Sequence, residues 1–430
     1  MPLVALGLSH RTAPVDVRER HAFAPARMVE ALIALRDYEA VREAAMLSTC
    51  GRLEIYAELD DYEAGVEQLK AFLQNFRHGD VADMESYLYT LLGRDAIEHL
   101  FRVSTGLDSM LIGEAEILGQ VKDAYVQAQA AKSIGKTLHR LFKDAIAAGK
   151  TARSQTQIGK DSVSIATAAI EMARRRLGTL EGKAVAIVGA GKMGRTASKR
   201  LRSAGISALY VVNRTPERAR QLLEEAAGEA VDLASLDSAL ARVDVVVTST
   251  GASHFILTPH NVVSAMAQRP ERPLFVVDIA VPRDADPQIA QLPNVSLVDI
   301  DALKDVVDTT LQTRRQAVPR VEEIIAEFVT RFMQWYRTRS AIPVITSLTQ
   351  KAEAIRQAEI ERLFARCPDL TERERMLITG SSLSIISRLL HTVITRIRER
   401  AGDEEDLVQL RETLLHELFD LPAVREEQPK

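Results

Sequence analysis

Residues 184–194 read Ala184-Val185-Ala186-Ile187-Val188-Gly189-Ala190-Gly191-Lys192-Met193-Gly194. Five apolar residues in a row predict a strand buried on both faces, as in a parallel sheet. The glycine spacing that follows opens a helix, and its backbone is suited to approach a pyrophosphate at the helix's positive end. A second apolar run, Ala208-Leu209-Tyr210-Val211-Val212, falls within one βαβ unit, and Val243 to Thr250 and Leu274 to Ile279 continue the series. The pattern predicts a doubly wound Rossmann domain. Beyond the second strand an NAD site would carry an acid for the ribose hydroxyls. This chain has Asn213-Arg214-Thr215, and an arginine there suits a 2′-phosphate, so the reading is NADP(H). A glycine-rich turn with no ligand is the competing reading.

Upstream, the sequence suggests an α/β domain of a different kind. Val4, Leu6 and Leu8 alternate as a first strand, broken by Ser9 to Pro14, and residues 25–37 look helical. The apolar run Ala44-Ala45-Met46-Leu47 leads into Ser48-Thr49-Cys50-Gly51-Arg52. Then Leu53 to Leu59 alternates apolar and polar at the two-residue period of a half-buried strand. Cys50 therefore falls in a tight turn between strands, where Gly51 is expected to supply backbone freedom. A thiol reacts as thiolate, with a free pKa of about 8.5, and Arg52 is the expected source of help. A small apolar space-filler is the alternative reading of Cys50. With helices expected at about 62 to 77 and around Ile97, Leu100 and Phe101, the domain reads as a split βαβ arrangement. His10 and His21 are expected to be exposed. Gly106 to Gln120 carries three glycines and several polar residues, a poor fit to a plain packing helix. From Lys132 to Lys160 the bases Lys132, Lys136, Arg140, Lys143, Lys150, Arg153 and Lys160 meet only Asp144, which a solvated face or a phosphate strip explains equally.

Downstream the chain reads as helical. Val318, Val321, Ile325, Phe328, Phe332 and Trp335 recur at steps of three and four, with Pro319 as a kink or start. Ile345, Leu348, Ala352 and Ile355 form a second stripe. A capping box, Thr371 with Glu374, precedes Leu383, Ile386, Leu390, Val393 and Ile397, and Leu407 to Phe419 closes the chain. Uncovered stripes suggest a helical dimerisation domain, with an intrachain bundle as alternative. The expected organisation is 1–156, 163–300 and 301–430.

Composition bounds the rest. The chain has 430 residues, 46% of them hydrophobic, and a net charge of −4, so a polyanion would need a local patch. The N-terminus lacks the pattern of a signal peptide. No apolar run approaches the roughly 20 residues that cross a bilayer. Cys50 and Cys367 are far apart, which predicts neither a disulfide framework nor a zinc site and suggests a reducing cytoplasm. Cys367, before Pro368, reads as structural.

A nucleophilic thiol beside a nicotinamide domain suggests hydride transfer to an acyl group first held as a thioester. Here Leu47-Ser48-Thr49-Cys50-Gly51-Arg52-Leu53-Glu54-Ile55-Tyr56 resembles the signature of the glutamyl-tRNA reductases. So do Gly7-Leu8-Ser9-His10 with Thr12-Ala13-Pro14, His99 to Val103, and Gly106 through Lys122. The family usually has Asn where this chain has Gly51. The resemblance spans the chain and implies a catalytic domain, an NADPH domain and a C-terminal all-α dimerisation domain. It implies reduction of glutamyl-tRNA(Glu) to glutamate-1-semialdehyde, the first committed step of C5-pathway tetrapyrrole synthesis. By the same resemblance Cys50 is the nucleophile, and His99 assists as a base or donor. Thr49, Gly51, Arg52, Ser109, Glu114, Ala115, Glu116 and Gln120 hold the glutamate, with Arg52 gripping its side-chain carboxylate. Gly189, Ala190, Gly191, Lys192, Met193 and Gly194 hold NADPH. A homodimer hinged by a spinal helix near 300–335, and an aminomutase that receives the unstable aldehyde, are likewise implied. Two rivals remain: a shikimate-dehydrogenase-like enzyme acting on a free small molecule, and a tRNA-binding scaffold without catalysis.

Overall fold

The computed structural model describes residues 2–77, 82–159, 165–224, 228–303 and 311–400. It divides into two compact units, Met1–Phe328 and Val329–Lys430. The first begins with β1 (Leu3–Ser9), α1 (Val15–His21), α2 (Met28–Leu35), β2 (Val41–Ser48) and β3 (Arg52–Leu59). It continues through α3 (Tyr62–Arg77), α4 (Ala82–Glu85), β4 (Tyr89–Leu92), α5 (Arg94–Thr105), α6 (Glu116–Ala130) and α7 (Lys136–Gln155). The sheet order is β2-β3-β1-β4 with every neighbour antiparallel, so β3 lies between β2 and β1 as a split βαβ unit requires.

The expected half-buried β3 is instead buried on both faces. Leu53, Ile55, Ala57 and Leu59 alternate with Arg52, Glu54, Tyr56 and Glu58, and the polar set is covered because its polar groups find partners inside. Glu58 accepts from the Thr137 hydroxyl at 2.8 Å. Next to it, Glu43 of β2 accepts from the backbone N–H of Thr137 and Leu138 at 3.1 and 2.7 Å, capping the start of α7 with an anion. His21 is also buried, against expectation, because α1 folds back onto β3.

The second sheet follows α8 (Ile165–Leu177). It comprises β5 (Ala184–Val188), α9 (Lys192–Arg202), β6 (Ala208–Asn213), α10 (Pro216–Glu224), β7 (Glu229–Asp232) and α11 (Leu236–Leu240). β8 (Val245–Thr248), α12 (Pro259–Ala267), β9 (Leu274–Asp278) and β10 (Val295–Val298) complete it. All strands are parallel in the order β10-β9-β8-β5-β6-β7, the doubly wound arrangement with its switch point between β5 and β8. Val185 and Ile187 point to one core with α8, α9 and α10, and Ala186 and Val188 to another with α11 and α12.

The last helices are α13 (Leu311–Arg366) and α14 (Glu372–Arg400). α13 runs further than the expected 335, and Pro319 lies inside it. The proline is exposed on the helix surface and supplies no backbone N–H to the helix. The unit boundary falls within α13. In the second unit Leu348 is buried with Leu390 and Val393 packed on it, and the rings of Phe332 and Trp335 meet tilted, with centroids 5.4 Å apart. The capping box forms: the Thr371 N–H donates to Glu374 at 2.8 Å, and the Glu374 N–H to the Thr371 hydroxyl at 3.4 Å. Met376, Leu377, Ile385 and Leu389 are exposed. Among the described residues, Glu372–Ile397 is long and apolar enough by composition to span a membrane, with mean hydropathy 1.4. The stretch is interrupted by Thr379, Gly380, Ser381, Ser382, Ser384, Ser387, Arg388 and His391, so it contains no uninterrupted apolar run of spanning length, in keeping with the expectation. Leu407 to Phe419 and Lys160 lie outside the described residues.

Candidate active site

Cys50 and Gly51 form the two-residue turn joining β2 to β3, closed by a 2.8 Å bond from the Thr49 N–H to the Arg52 carbonyl. The Thr49 hydroxyl accepts from the Gly51 N–H at 3.1 Å, and the His10 N–H donates to the Gly51 carbonyl at 2.8 Å. Gly51 is not left-handed, and a Cβ there would meet only the Met110 methyl at 3.6 Å and the Thr49 hydroxyl at 3.9 Å. The turn therefore does not require glycine. This corrects the expectation from sequence, where a glycine in a tight turn suggested a backbone need.

Arg52 is buried, with its fork turned inward. Its Nη1 donates to Glu54 at 2.6 Å, and its Nη2 to the Asp108 carboxylate at 3.0 Å and to the Asp108 carbonyl. Of its five N–H groups these leave Nε and one Nη1 hydrogen for a ligand. Asp108 also pairs with Arg11 at 2.9 Å. Glu54, wholly buried, accepts from Tyr56 at 2.6 Å and Tyr89 at 2.5 Å and meets His99 Nε2 at 2.8 Å. Burial opposes its charge, yet Arg52, His99 and these hydrogen bonds hold its carboxyl well below the usual range. An ionised acceptor requires Nε2 of His99 to be the protonated nitrogen, so Nδ1 is the ring atom Glu54 does not use. Arg52 and His99, expected separately from sequence, are thus joined through one carboxylate that sequence reasoning passed over. The signal was present: two charged residues two apart on one strand face, Arg52 and Glu54, imply a pair.

The cation beside the thiol is Arg18, not Arg52. Its Nη1 donates to the Cys50 carbonyl. Burial pushes the Cys50 thiol up to about 12, Glu114 adds to this, Arg18 opposes it, and Glu116 raises it further. Glu114 is itself pushed up to about 7, by burial first and then by Glu116. Glu116 is raised by burial, against the pull of Lys192.

Residues 106–115 form a loop ahead of α6. Gly106 and Gly113 adopt left-handed conformations with φ of +81° and +75°, and a Cβ on Gly113 would lie 2.2 Å from the Ile158 carbonyl. The loop is tied from outside by Arg314, which donates to the Ile112 carbonyl at 2.8 Å, and by Arg153, which donates to the Glu114 carbonyl. Among the expected lysines of the basic run, Lys132, Lys136, Lys143 and Lys150 are exposed. In the loop Ser109 and Glu114 are buried and Ala115 is exposed, and on the first turns of α6 Glu116 is buried and Gln120 half-buried. The Ser109 hydroxyl is buried with no hydrogen-bond partner, which an incoming polar ligand would satisfy.

The glycine-rich loop follows β5 at the switch point. Gly189 has φ +108°, and a Cβ on it would lie 2.9 Å from the Ser249 carbonyl; one on Gly194 would lie 2.3 Å from the Gly189 carbonyl. Around Gly191, where α9 starts, a Cβ would meet nothing within 4 Å. That open space at a helix N-terminus fits a pyrophosphate. The Ser249 hydroxyl beside it is buried without a partner. Asn213 bonds the Thr215 carbonyl at 2.9 Å, and Arg214 is exposed at the end of β6. The residues present fit a nicotinamide dinucleotide. Cys50, Met110 and Ile112 of the first domain pack on the same core cluster as Ala190 and Met193 of this loop.

Residues 6–156 match the family model described as glutamyl-tRNAGlu reductase, N-terminal domain. Residues 171–306 match shikimate/quinate 5-dehydrogenase, and 320–421 match the glutamyl-tRNAGlu reductase dimerisation domain. The glutamyl-tRNA reductase of Bacillus subtilis is 38% identical over 98% of this chain and 92% of its own length. That of Geobacillus kaustophilus is 44% identical over 94% and 88%. The glutamyl-tRNA reductase from Methanopyrus kandleri superposes with a TM-score of 0.55 at 32% identity, covering 97% of this chain and 99% of that one. The catalytic domain, the parallel-sheet dinucleotide domain and the helical dimerisation domain occur in the family's order, and the chain belongs to the glutamyl-tRNA reductase family of oxidoreductases.

Proposed function

We propose that the chain reduces glutamyl-tRNA(Glu) to glutamate-1-semialdehyde with NADPH, through a thioester on Cys50, as the first step of tetrapyrrole synthesis. The observation that supports this reading is the packing of Cys50 against the same core cluster as Ala190 and Met193 of the glycine-rich loop. Cys50 Sγ attacks the glutamyl ester carbonyl, the ester C–O bond breaks, and the thiol proton ends on the departing ribose hydroxyl. NADPH held at Gly189 to Gly194 would supply a hydride to the thioester carbonyl. The C–S bond then breaks and the sulfur regains a proton.

The chain's residues prepare the first step. Without substrate the thiol is held neutral by burial and by Glu114 and Glu116. An α-ammonium bound by these carboxylates would cancel their charge and so lower the thiol pKa when the substrate arrives. Arg52 is fixed by Glu54 and Asp108, offering its remaining N–H groups to the glutamate side chain, while Thr49, Ser109 and Gln120 supply neutral donors. His99, oriented by Glu54, presents Nδ1 to the ester. Arg214 would distinguish NADPH from NADH through the 2′-phosphate. A homodimer through the C-terminal helices, a cytoplasmic location and delivery of the aldehyde to an aminomutase complete the proposal.

Mass spectrometry of the protein mixed with glutamyl-tRNA and no NADPH tests the reading. A glutamyl adduct on Cys50 is expected; a protein that never discharges the tRNA overturns it. Full activity in Cys50→Ala would favour direct hydride transfer to a free small molecule.

A further inference from the structure

α1 carries a buried arginine that the reaction scheme above does not use. Arg18 is only 2% exposed, and each end of its guanidinium is committed. Nε donates to the Ala13 carbonyl at 3.2 Å, Nη1 to the carbonyl of Cys50, and Nη2 pairs with Asp301 at 2.5 Å. Asp301 follows the last strand of the dinucleotide domain, and its other oxygen accepts from the Val15 N–H at 3.0 Å. The next residue on α1, Glu19, makes a second tie to the same domain, pairing with Arg283 at 2.6 Å. A buried charge with a partner at each of its three nitrogens has been placed at a desolvation cost, and the geometry assigns that charge to the turn bearing the thiol.

We propose that Arg18 is the positioning residue of the Cys50 turn. It holds the cysteine's own carbonyl, places a buried cation beside the sulfur, and through Asp301 makes both depend on the dinucleotide domain standing against the catalytic domain. This rests on Cys50 being the nucleophile. The charged groups acting on the thiol are Glu114 and Glu116 from the loop and α6, and Arg18 from α1. Arg52 and Lys192 act on Glu114 in turn. Asp301, paired with Arg18, attenuates that cation. The two partners therefore pull the thiol in opposite directions: losing Arg18 disfavours the thiolate, and losing the charge of Asp301 favours it.

The test reads the sulfur without substrate, as the rate of Cys50 alkylation by iodoacetamide between pH 7 and 9. Exposed Cys367 in the same molecule is the reference. Arg18→Met is expected to slow Cys50 about tenfold, one pKa unit's worth. Asp301→Asn, isosteric and still able to accept a hydrogen bond, is expected to speed it about threefold, a smaller fraction of the same unit. Glu19→Gln loosens the other tie without touching the thiol and should leave the rate unchanged. An unchanged Arg18→Met, both Arg18 and Asp301 variants moving the same way, or Glu19→Gln matching Asp301→Asn would each overturn the proposal. Should Arg18→Met fail to fold, the remaining pair decides: only a faster Asp301→Asn with an unaltered Glu19→Gln supports it. A wild-type protein that is never glutamylated would sink the nucleophile reading and leave this result standing.

Discussion

The two sheets of the first unit bury their faces in opposite ways. The parallel sheet hides valine, alanine and isoleucine on both sides, and its candidate ligand site consists of loop backbone at the strand ends. The antiparallel sheet hides Arg52, Glu54, Tyr56 and Glu58 on one side of β3, and its candidate site is that buried polar face. A backbone site tolerates side-chain change around it. A buried network does not, because removing one member strands the others in a low dielectric.

Stability should expose this contrast most strongly. Glu54→Gln leaves Arg52 short of a charge partner and is expected to cost about 3–5 kcal/mol, the range for breaking a buried pair. Ile187→Val in the parallel sheet should cost about 0.5–1.5 kcal/mol. Denaturant unfolding of the two variants measures both, and equal losses would erase the distinction between the sheets.

At the cofactor site, Arg214→Glu should weaken NADPH binding by roughly ten- to a hundredfold, the value of one charge-assisted hydrogen bond. NADH affinity should change little. Fluorescence titration with both nucleotides checks this, and equal loss would undo the 2′-phosphate assignment.

A subtler effect concerns Glu114, whose carboxyl is pushed up to about 7 from an ordinary 4.5. The folded state holds that proton more tightly than the unfolded one. Its contribution to stability is therefore full below about pH 4.5 and declines as pH rises through 7. Glutamyl transfer to Cys50 should rise over the same interval as the carboxylate forms. Glu114→Gln is expected to flatten both profiles, and an unchanged inflection in the rate would assign it to another group.

The smallest effect is expected at the turn itself. Gly51→Asn should alter the melting temperature by no more than an exposed surface change would, within about 0.5 kcal/mol, since the position has room and an ordinary backbone. Gly7→Ala is the control that should fail. A Cβ there would lie 2.4 Å from the Leu53 carbonyl on the neighbouring strand.

Sequence alone determined the Rossmann domain, because an uninterrupted apolar strand running into Gly189, Gly191 and Gly194 has few other uses. It also determined the place of Cys50 in a turn and the helical character of residues 311–400, since both are written in local periodicity. The partners of the candidate site were decided only by tertiary structure. Glu54 looked like the solvent face of a strand until α5 and α7 covered it. Arg18 and Asp301 lie 283 positions apart, and nothing local to either announces that they meet over the carbonyl of Cys50. Periodicity shows which face a side chain takes; only the packed chain shows whether that face meets water or another charge.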